Sequence, residues 1–152
     1  MNGKFIGFKE NNIALTPSFF SGDFGLISKD NIKNLKDFAL KNNTTARLNL
    51  FANRDDRLQY MLICHPHKKD IKCKKWLNSA SIYTIIGGTM QFVLYDNNFN
   101  IIKTAELNRE NFAIRIPKNQ YYKIEILEEP VVFIEFRNGP YKEENKIERV
   151  NV

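Results

Sequence analysis

The feature that most constrains the fold is a series of short strand-like segments that begins after residue 45. Ala46 to Phe51 alternates in polarity, and Leu58 to Cys64 is a nearly continuous apolar run. Further segments of the same kind are Ser81–Ile86, Met90–Tyr95, Ile101–Leu107, Asn111–Ile116, Tyr121–Leu127 and Val131–Phe136. Turn-forming residues separate several of them: Gly87-Gly88, Asp96-Asn97-Asn98, Asn108-Arg109-Glu110 and Glu128-Glu129-Pro130. Many short strands joined by turns predict an all-β sandwich or barrel.

A single α-helix is predicted before these strands, over roughly Asn31 to Lys41. Ser28 and Asp30 precede the helical pattern and are candidate N-caps. Apolar residues recur in this segment at helical spacing: Ile32, Leu35, Phe38 and Ala39. The fold class predicted from these patterns is therefore all-β with one short N-terminal helix.

The chain is predicted to form one structural domain in four parts. Residues 1–27 would form an N-terminal arm or edge strands, 28–43 the helix, 44–140 the barrel and 141–152 a C-terminal tail. Short apolar groups punctuate the arm: Phe5–Phe8, Ile13–Leu15 and Phe19-Phe20. The tail is charged and is predicted to pack loosely.

The composition indicates a folded, basic chain with 43% hydrophobic residues and a formal net charge of +6. His65 to Lys75 carries five lysines against one aspartate, and the segment is predicted to be a solvated loop. No nucleic-acid recognition motif accompanies it, so no nucleic-acid partner is expected. A cytoplasmic location without a membrane partner is expected, because no signal-peptide pattern or membrane-length apolar run is present. Cys64 and Cys73 are then expected to be free thiols.

Two stretches have the spacing of metal-binding motifs but lack the ligands. In H-x-H-x4-E-x6-G, Lys74 and Trp76 stand at the histidine positions and Ser81 at the glutamate position. In the later P-x-G-x2-H, Tyr122 stands at the last histidine. Metal sites use imidazole, carboxylate or thiolate ligands, so no metal is predicted here. The order and spacing of the two stretches are those of the two signature motifs of a cupin barrel.

The helix, the two stretches and the end of the last strand together resemble the WbuC family of cupin-fold metalloproteins. These are small bacterial proteins associated with surface-polysaccharide (O-antigen) gene clusters. The resemblance covers about Ser28 to Tyr141, with Arg47 and Asn49 at a family arginine and asparagine, and Glu135 before the Asn138-Gly139-Pro140 ending. It implies a jelly-roll cupin barrel and a metal held by two histidines, a glutamate and a later histidine. This chain departs from the family at all four ligand positions.

The substituted positions are themselves a candidate site. In a cupin barrel, Lys74, Trp76, Ser81 and Tyr122 would converge inside the mouth, and Tyr83 would share the face of Ser81. One interpretation is a cavity that binds a sugar-like ring between aromatic walls. The other is a packed core in which Trp76 and Tyr122 fill the space of the metal. If the protein is catalytic, Tyr122 could donate a proton, and Lys74 or Glu135 could accept one.

Arg47 and Asn49 lie two residues apart on a predicted strand and so share a face. Arg47 could bind a phosphate or carboxylate in bidentate fashion, or could form a structural ion pair with Glu135. Both possibilities stay open at this stage.

A second cluster contains Cys64, His65, His67 and Cys73, residue types that bind zinc. Their spacing matches no zinc motif, and adjacent strand residues such as Cys64 and His65 point to opposite faces. A buried Cys64 with surface histidines is the preferred interpretation.

These features predict a metal-independent cupin without cofactor that binds a carbohydrate-type ligand, a sugar phosphate or nucleotide sugar. The resemblance alone implies a role in surface-polysaccharide synthesis, and any catalysis would be a sugar isomerisation or epimerisation. One alternative is a non-catalytic binding or assembly cupin with a decayed metal site. Another is a metalloprotein with a relocated site. A homodimer is expected, because cupins often pair through barrel edges or exchanged N-terminal strands.

Overall fold

The computed structural model describes residues 5–11 and 14–152, so part of the predicted apolar group Ile13–Leu15 lies outside the described residues. The helix is α1, Lys29–Asn42, and a short 3-10 helix spans Glu143–Asn145. The strands of the described residues are β1 Lys9–Glu10, β2 Ser18–Phe20, β3 Ala46–Asn49, β4 Leu58–His65, β5 Cys73–Trp76, β6 Ser81–Tyr95, β7 Ile101–Leu107, β8 Ala113–Ile116, β9 Tyr121–Asn138 and β10 Lys146–Arg149. The predicted all-β class with one N-terminal helix is confirmed.

Helix α1 begins at a capping box. The backbone N–H of Asn31 donates to the Ser28 hydroxyl at 3.2 Å, and the Asn31 side chain accepts from the Ser28 backbone N–H at 2.9 Å. This reciprocal pair satisfies two N–H groups that the first turn leaves free, which fixes where the helix starts. Ser28 is thus the N-cap, while Asp30 lies in the first turn, where its charge favours the positive end of the helix dipole.

Strand register determines which side chains face the interior. β4 pairs antiparallel with both β3 and β9, and β9 pairs antiparallel with β6. Across these strands Asn49 lies opposite Met61, Met61 opposite Glu135, and Glu135 opposite Tyr83. Directly opposed residues project from the same face of a sheet. Polar Asn49 and Glu135 therefore share the inner face with Met61 and Tyr83, which belong to the main apolar core.

The predicted turns at Gly87-Gly88 and Glu128-Glu129-Pro130 are wrong. Both lie within long continuous strands, β6 and β9, which pair with each other on either side of these residues. The register shifts between Ile85 and Thr89, and Gly88 has a φ of +77°. A Cβ on Gly88 would approach the carbonyl oxygen of Pro130 to 2.6 Å. The glycines thus permit a bulge at which the paired strands bend without separating.

Two segments predicted as loop and loose tail form strands. Cys73–Trp76, from the basic segment, is β5, and it pairs antiparallel with β10 from the tail. Ile147 and Val152 pack against a cluster that contains buried Cys73 and Tyr121. The Lys123 ammonium also donates to the Val152 carbonyl oxygen at 2.8 Å. The tail is therefore an integral part of the sheet.

The sheet buries residues on both faces. The inner face holds the main core, and the outer face of β3 and β4 packs against α1 through Leu35, Ala39, Leu48 and Leu62. No helix among the described residues combines the length and apolar composition that spanning a membrane requires.

We expect Leu35→Ala to lower the free energy of unfolding by about 2–5 kcal/mol, because the fully buried side chain would leave a cavity between α1 and the sheet. Leu40→Ala on the same helix, where the side chain is 38% exposed, should cost about 1 kcal/mol or less. Urea denaturation of the two variants measures the difference. Equal losses would contradict the placement of α1 on the sheet.

Candidate functional site

The centre of the interior is occupied by a pair of tyrosines. The hydroxyl oxygens of Tyr83 and Tyr122 lie 2.6 Å apart and share a hydrogen bond. Tyr83 is 0% exposed and Tyr122 is 1% exposed, and both rings contact Phe92. Burial, followed by the nearby Glu135 carboxylate, raises the pKa of both phenols. Both hydroxyls therefore stay protonated near neutral pH.

The structure brings the substituted motif positions into this same region. Lys74 lies opposite Tyr122 in the sheet, and its ammonium nitrogen is 5.8 Å from the centroid of the Tyr122 ring. Trp76 and Ser81 are also buried, and neither the indole N–H nor the Ser81 hydroxyl has a hydrogen-bond partner among the described residues. The structure thus brings Lys74, Trp76 and Tyr122 together, and it places Ser81 opposite Arg137 in the sheet.

These residues do not fit a metal ion. The indole of Trp76 has no lone pair to donate, and the raised pKa of Tyr122 disfavours the phenolate that would bind a cation. In the described part of the chain, no group of three or more His, Cys, Asp or Glu side chains is arranged to hold a metal. The metal that the family resemblance implies therefore has no matching ligand set at this position.

Glu135 forms its ion pair with Arg137, a residue that the sequence analysis missed, and not with Arg47. The distance from the Arg137 guanidinium to the Glu135 carboxylate is 3.3 Å, and both side chains are more than nine-tenths buried. The same guanidinium donates to the Gln59 side-chain oxygen at 3.3 Å and lies 3.9 Å from the Trp76 ring centroid. The alternation of strand residues could have indicated this pair, because Glu135 and Arg137 are two apart on β9.

Arg137 and Tyr141 together cover the Trp76 ring. The guanidinium covers one face of the indole, and the Tyr141 ring packs edge-on against the same indole at a centroid distance of 5.7 Å. The Trp76 ring, which was predicted to stack on a sugar ring, is thus covered by side chains of the protein itself. The structure matches the packed interpretation of this part of the interior.

Arg47 and Asn49 share the inner face, in agreement with their spacing. The Arg47 guanidinium donates to the Thr16 hydroxyl, and desolvation lowers the pKa of Arg47. The Glu135 charge acts on Arg47 but no ion pair joins the two side chains among the described residues. Asn49 is buried beside Arg47.

His65 is buried, which corrects the expectation of a surface histidine. Its Nδ1 lies 2.8 Å from the Thr45 hydroxyl, and its ring centroid is 5.5 Å from that of Phe133. Desolvation lowers the pKa of His65 from its ordinary 6.5 to about 3, with smaller contributions from the Lys69, Arg47 and Lys74 charges. His65 is therefore neutral over the physiological range.

The cysteine and histidine cluster does not form one site. Cys64 faces α1, where burial raises its thiol pKa to about 11, while His65 faces the interior. His67 is exposed and lies 3.4 Å from the Glu129 carboxylate. Cys73 belongs to the separate cluster beneath the tail. Because these side chains point in different directions, their geometry does not support the relocated metal site.

Two surface cavities, of about 530 and 580 Å³, lie away from the substituted motif. The first is lined by the segments around Gly22 and Asp56, and the second by those around Arg109 and Glu128. Neither includes any of the site residues predicted from the sequence.

No protein-family model and no curated protein matches the chain, so the finer resemblance to the WbuC family stays a prediction. The capsular polysaccharide assembling protein CapF from Staphylococcus aureus is similar in structure, with a TM-score of 0.56 and 14% identity over 68% of this chain and 31% of CapF. The oxalate decarboxylase of Lactobacillus farciminis, solved as a formate complex, aligns with a TM-score of 0.51 and 13% identity over 61% of this chain and 27% of that chain. The chain spans less than a third of the length of either protein. At these identities the likeness shows the fold alone, which is the cupin-type jelly roll.

Removing one tyrosine hydroxyl should leave the other unpaired in the interior. We expect Tyr83→Phe and Tyr122→Phe each to cost about 1–3 kcal/mol of stability, the penalty for a buried polar group without a partner. The double variant should cost less than the sum of the two, because it removes both hydroxyls together. Urea denaturation of all four proteins gives the coupling, and strictly additive losses would contradict the hydrogen bond.

The buried neutral His65 should make stability fall in mild acid. The unfolded chain binds a proton near pH 6.5, whereas the folded state resists protonation down to about pH 3. The stabilisation is therefore complete above pH 6.5 and is lost toward pH 3, with a slope of up to about 1.4 kcal/mol per pH unit.

Denaturation between about pH 7 and pH 4 should show a smaller slope for His65→Gln than for the wild type. His67→Gln, which removes an exposed histidine, is the matched control and should retain the wild-type slope. A wild-type slope in His65→Gln would show that other groups cause the acid sensitivity.

Proposed function

We propose that the protein is a metal-independent cupin that binds a carbohydrate-type ligand, a sugar phosphate or nucleotide sugar, for bacterial surface-polysaccharide synthesis. Because Tyr83 and Tyr122 fill the centre, the ligand would bind at the partly exposed Arg47 and Lys74, and the protein would bind or present it without transforming it. Its partner is a small molecule, with no nucleic acid or membrane, and it acts as a cytoplasmic homodimer.

The observation that carries the metal-independent part is the hydrogen-bonded pair Tyr83 and Tyr122. The two phenols fill the centre of the interior and satisfy each other, which supports a structural role at the position that a metal site would require. A metal site at this position would require both tyrosine side chains to leave the centre and their buried hydrogen bond to break. Both steps are unfavourable.

The ligand class is supported by the charge of the interior. The positive charges of Arg47, Lys74 and Arg137 repel one another there, and the Glu135 carboxylate attracts both Arg47 and Lys74. A basic interior favours acidic compounds, and sugar phosphates and nucleotide sugars are acidic carbohydrates. The polysaccharide context is supported by the WbuC resemblance and by the fold shared with CapF, a capsular polysaccharide assembling protein.

Binding is favoured over catalysis because the proposed proton donor is a poor one. The raised pKa of Tyr122 makes its proton harder to release, and its hydroxyl already has a partner in Tyr83. Lys74 keeps a possible role as a base, since desolvation lowers its pKa. An isomerase or epimerase that uses Lys74 is therefore the second candidate.

The test is a thermal-denaturation and calorimetric screen of UDP-glucose, dTDP-glucose and glucose 1-phosphate, with methyl glucoside as the uncharged control. We expect at least one acidic carbohydrate to stabilise the protein, by about 2.7 kcal/mol when it is present at 100 times its Kd. Proton NMR of the recovered ligand should show no new sugar isomer. Accumulation of an isomer would favour the enzyme, and no binding of any sugar would contradict the proposal.

A further inference from the structure

We infer that Arg47, Lys69 and Lys74, hereafter the cationic cluster, form a phosphate-binding subsite where the interior reaches solvent. The Thr45 hydroxyl lies at the edge of this subsite. The inference rests on the proposed function, since the phosphate would belong to the sugar ligand. It adds the residues that would bind the phosphate, and it assigns a role to Lys69, which is not among the site residues predicted from the sequence.

Three elements bring the cationic cluster together. Arg47 faces inward from β3. Thr45 immediately precedes β3, and its hydroxyl lies 2.8 Å from Nδ1 of the inward-facing His65. The Lys69 ammonium, from the loop after β4, donates to the Thr45 hydroxyl at 3.3 Å. Lys74 projects inward from β5 beside the Tyr122 ring. The charge of Arg47 lowers the pKa of both lysines, and the charges of all three cations lower the pKa of His65.

The cationic cluster carries more positive than negative charge, because the Glu135 carboxylate that attracts Arg47 and Lys74 forms its ion pair with Arg137. Within residues 5–11 and 14–152, none of its members forms an ion pair with a carboxylate. The nearby acidic side chains are already used: Glu135 pairs with Arg137, Asp70 with Lys123, and Glu129 with His67 and the Lys68 backbone N–H. Glu148 lies directly opposite Lys74 in the sheet, but its carboxylate pairs with Lys72 and Lys146.

Cations in a desolvated setting that outnumber the carboxylates near them raise the free energy of the folded protein. Desolvation lowers the pKa values of Lys69 and Lys74. At Lys74 the Glu135 charge opposes this shift, and the Arg47 charge adds to it at both lysines. A bound anion would remove both penalties. The cluster is also reachable, because Lys69 is exposed and Arg47 and Lys74 are partly exposed.

The number of unmatched cations favours phosphate over carboxylate. A phosphate monoester carries a charge of about −1.5 to −2 near neutral pH and three acceptor oxygens, whereas a carboxylate carries one charge. Three cations that approach from β3, the following loop and β5 suit a group with several acceptor oxygens. His65 lies beside them but is uncharged near neutral pH, so it adds no positive charge to the cluster.

The test compares the wild type with Lys69→Gln by isothermal titration calorimetry, using inorganic phosphate, glucose 1-phosphate and glucuronate. Lys69 is exposed, so its replacement should leave the fold intact. Lys103→Gln, an equal charge change at an exposed position on β7, is the matched control. We expect glucose 1-phosphate to bind Lys69→Gln about tenfold more weakly than the wild type, and Lys103→Gln as well as the wild type. Glucuronate should bind the wild type about tenfold more weakly than glucose 1-phosphate.

Each remaining outcome separates the subsite from the proposed function. Lys69-dependent binding of inorganic phosphate without binding of glucose 1-phosphate would keep the subsite and contradict the carbohydrate ligand. Equal binding of glucose 1-phosphate to the wild type and Lys69→Gln would overturn the subsite and leave the carbohydrate ligand in place. Equal affinity for glucuronate would overturn the assignment to phosphate. No binding of inorganic phosphate or glucose 1-phosphate to the wild type would overturn the subsite.

Discussion

The structure depends on the pairing of β6 with β9, which continues on both sides of a bulge. The two strands bend together at Gly88 and Pro130 and resume pairing on the far side, so each contributes to both ends of the interior. This pairing places Tyr83 opposite Glu135 and Ser81 opposite Arg137. Since β9 also pairs with β4 and β5, it connects Met61, Glu135 and Lys74 to the same inner surface. A register change in this pair would shift Ser81 and Tyr83 relative to Glu135 and Arg137.

Local polarity was sufficient to predict most strands and the helix. The predicted segment Ile101–Leu107 coincides with β7, the apolar run Leu58–Cys64 covers most of β4, and α1 follows from its 3.6-residue period. The errors arose where local chemistry has two meanings. Gly-Gly and Pro are typical of turns, but here they allow a bend inside long strands, and only the partner strand distinguishes the two cases. Likewise β5 is a lysine-rich segment whose strand character comes from its pairing with β10.

The candidate site could be predicted in position but not in chemistry. Motif spacing placed Lys74, Trp76, Ser81 and Tyr122 together, because the spacing reflects the geometry of the fold. It could not reveal that Tyr122 would bond to Tyr83, or that Arg137 would cover Trp76. Those contacts depend on rotamers and on strands far apart in the sequence. The burial of His65 was missed for a related reason, since strand β4 extends one residue beyond the apolar run that defined it.

The pairing of β5 with β10 has a consequence for how the protein is made. β5 joins β9 through a single register pair, Lys74 with Tyr122, whereas β10 pairs with all four of its residues. Residues 73–76 leave the ribosome long before residues 146–149. During synthesis, β5, which carries Lys74 and Trp76, is therefore complete before its main partner β10 has been made. Pairing of the two strands closes a loop of about 70 residues, and the entropic cost of closing a loop rises with its length.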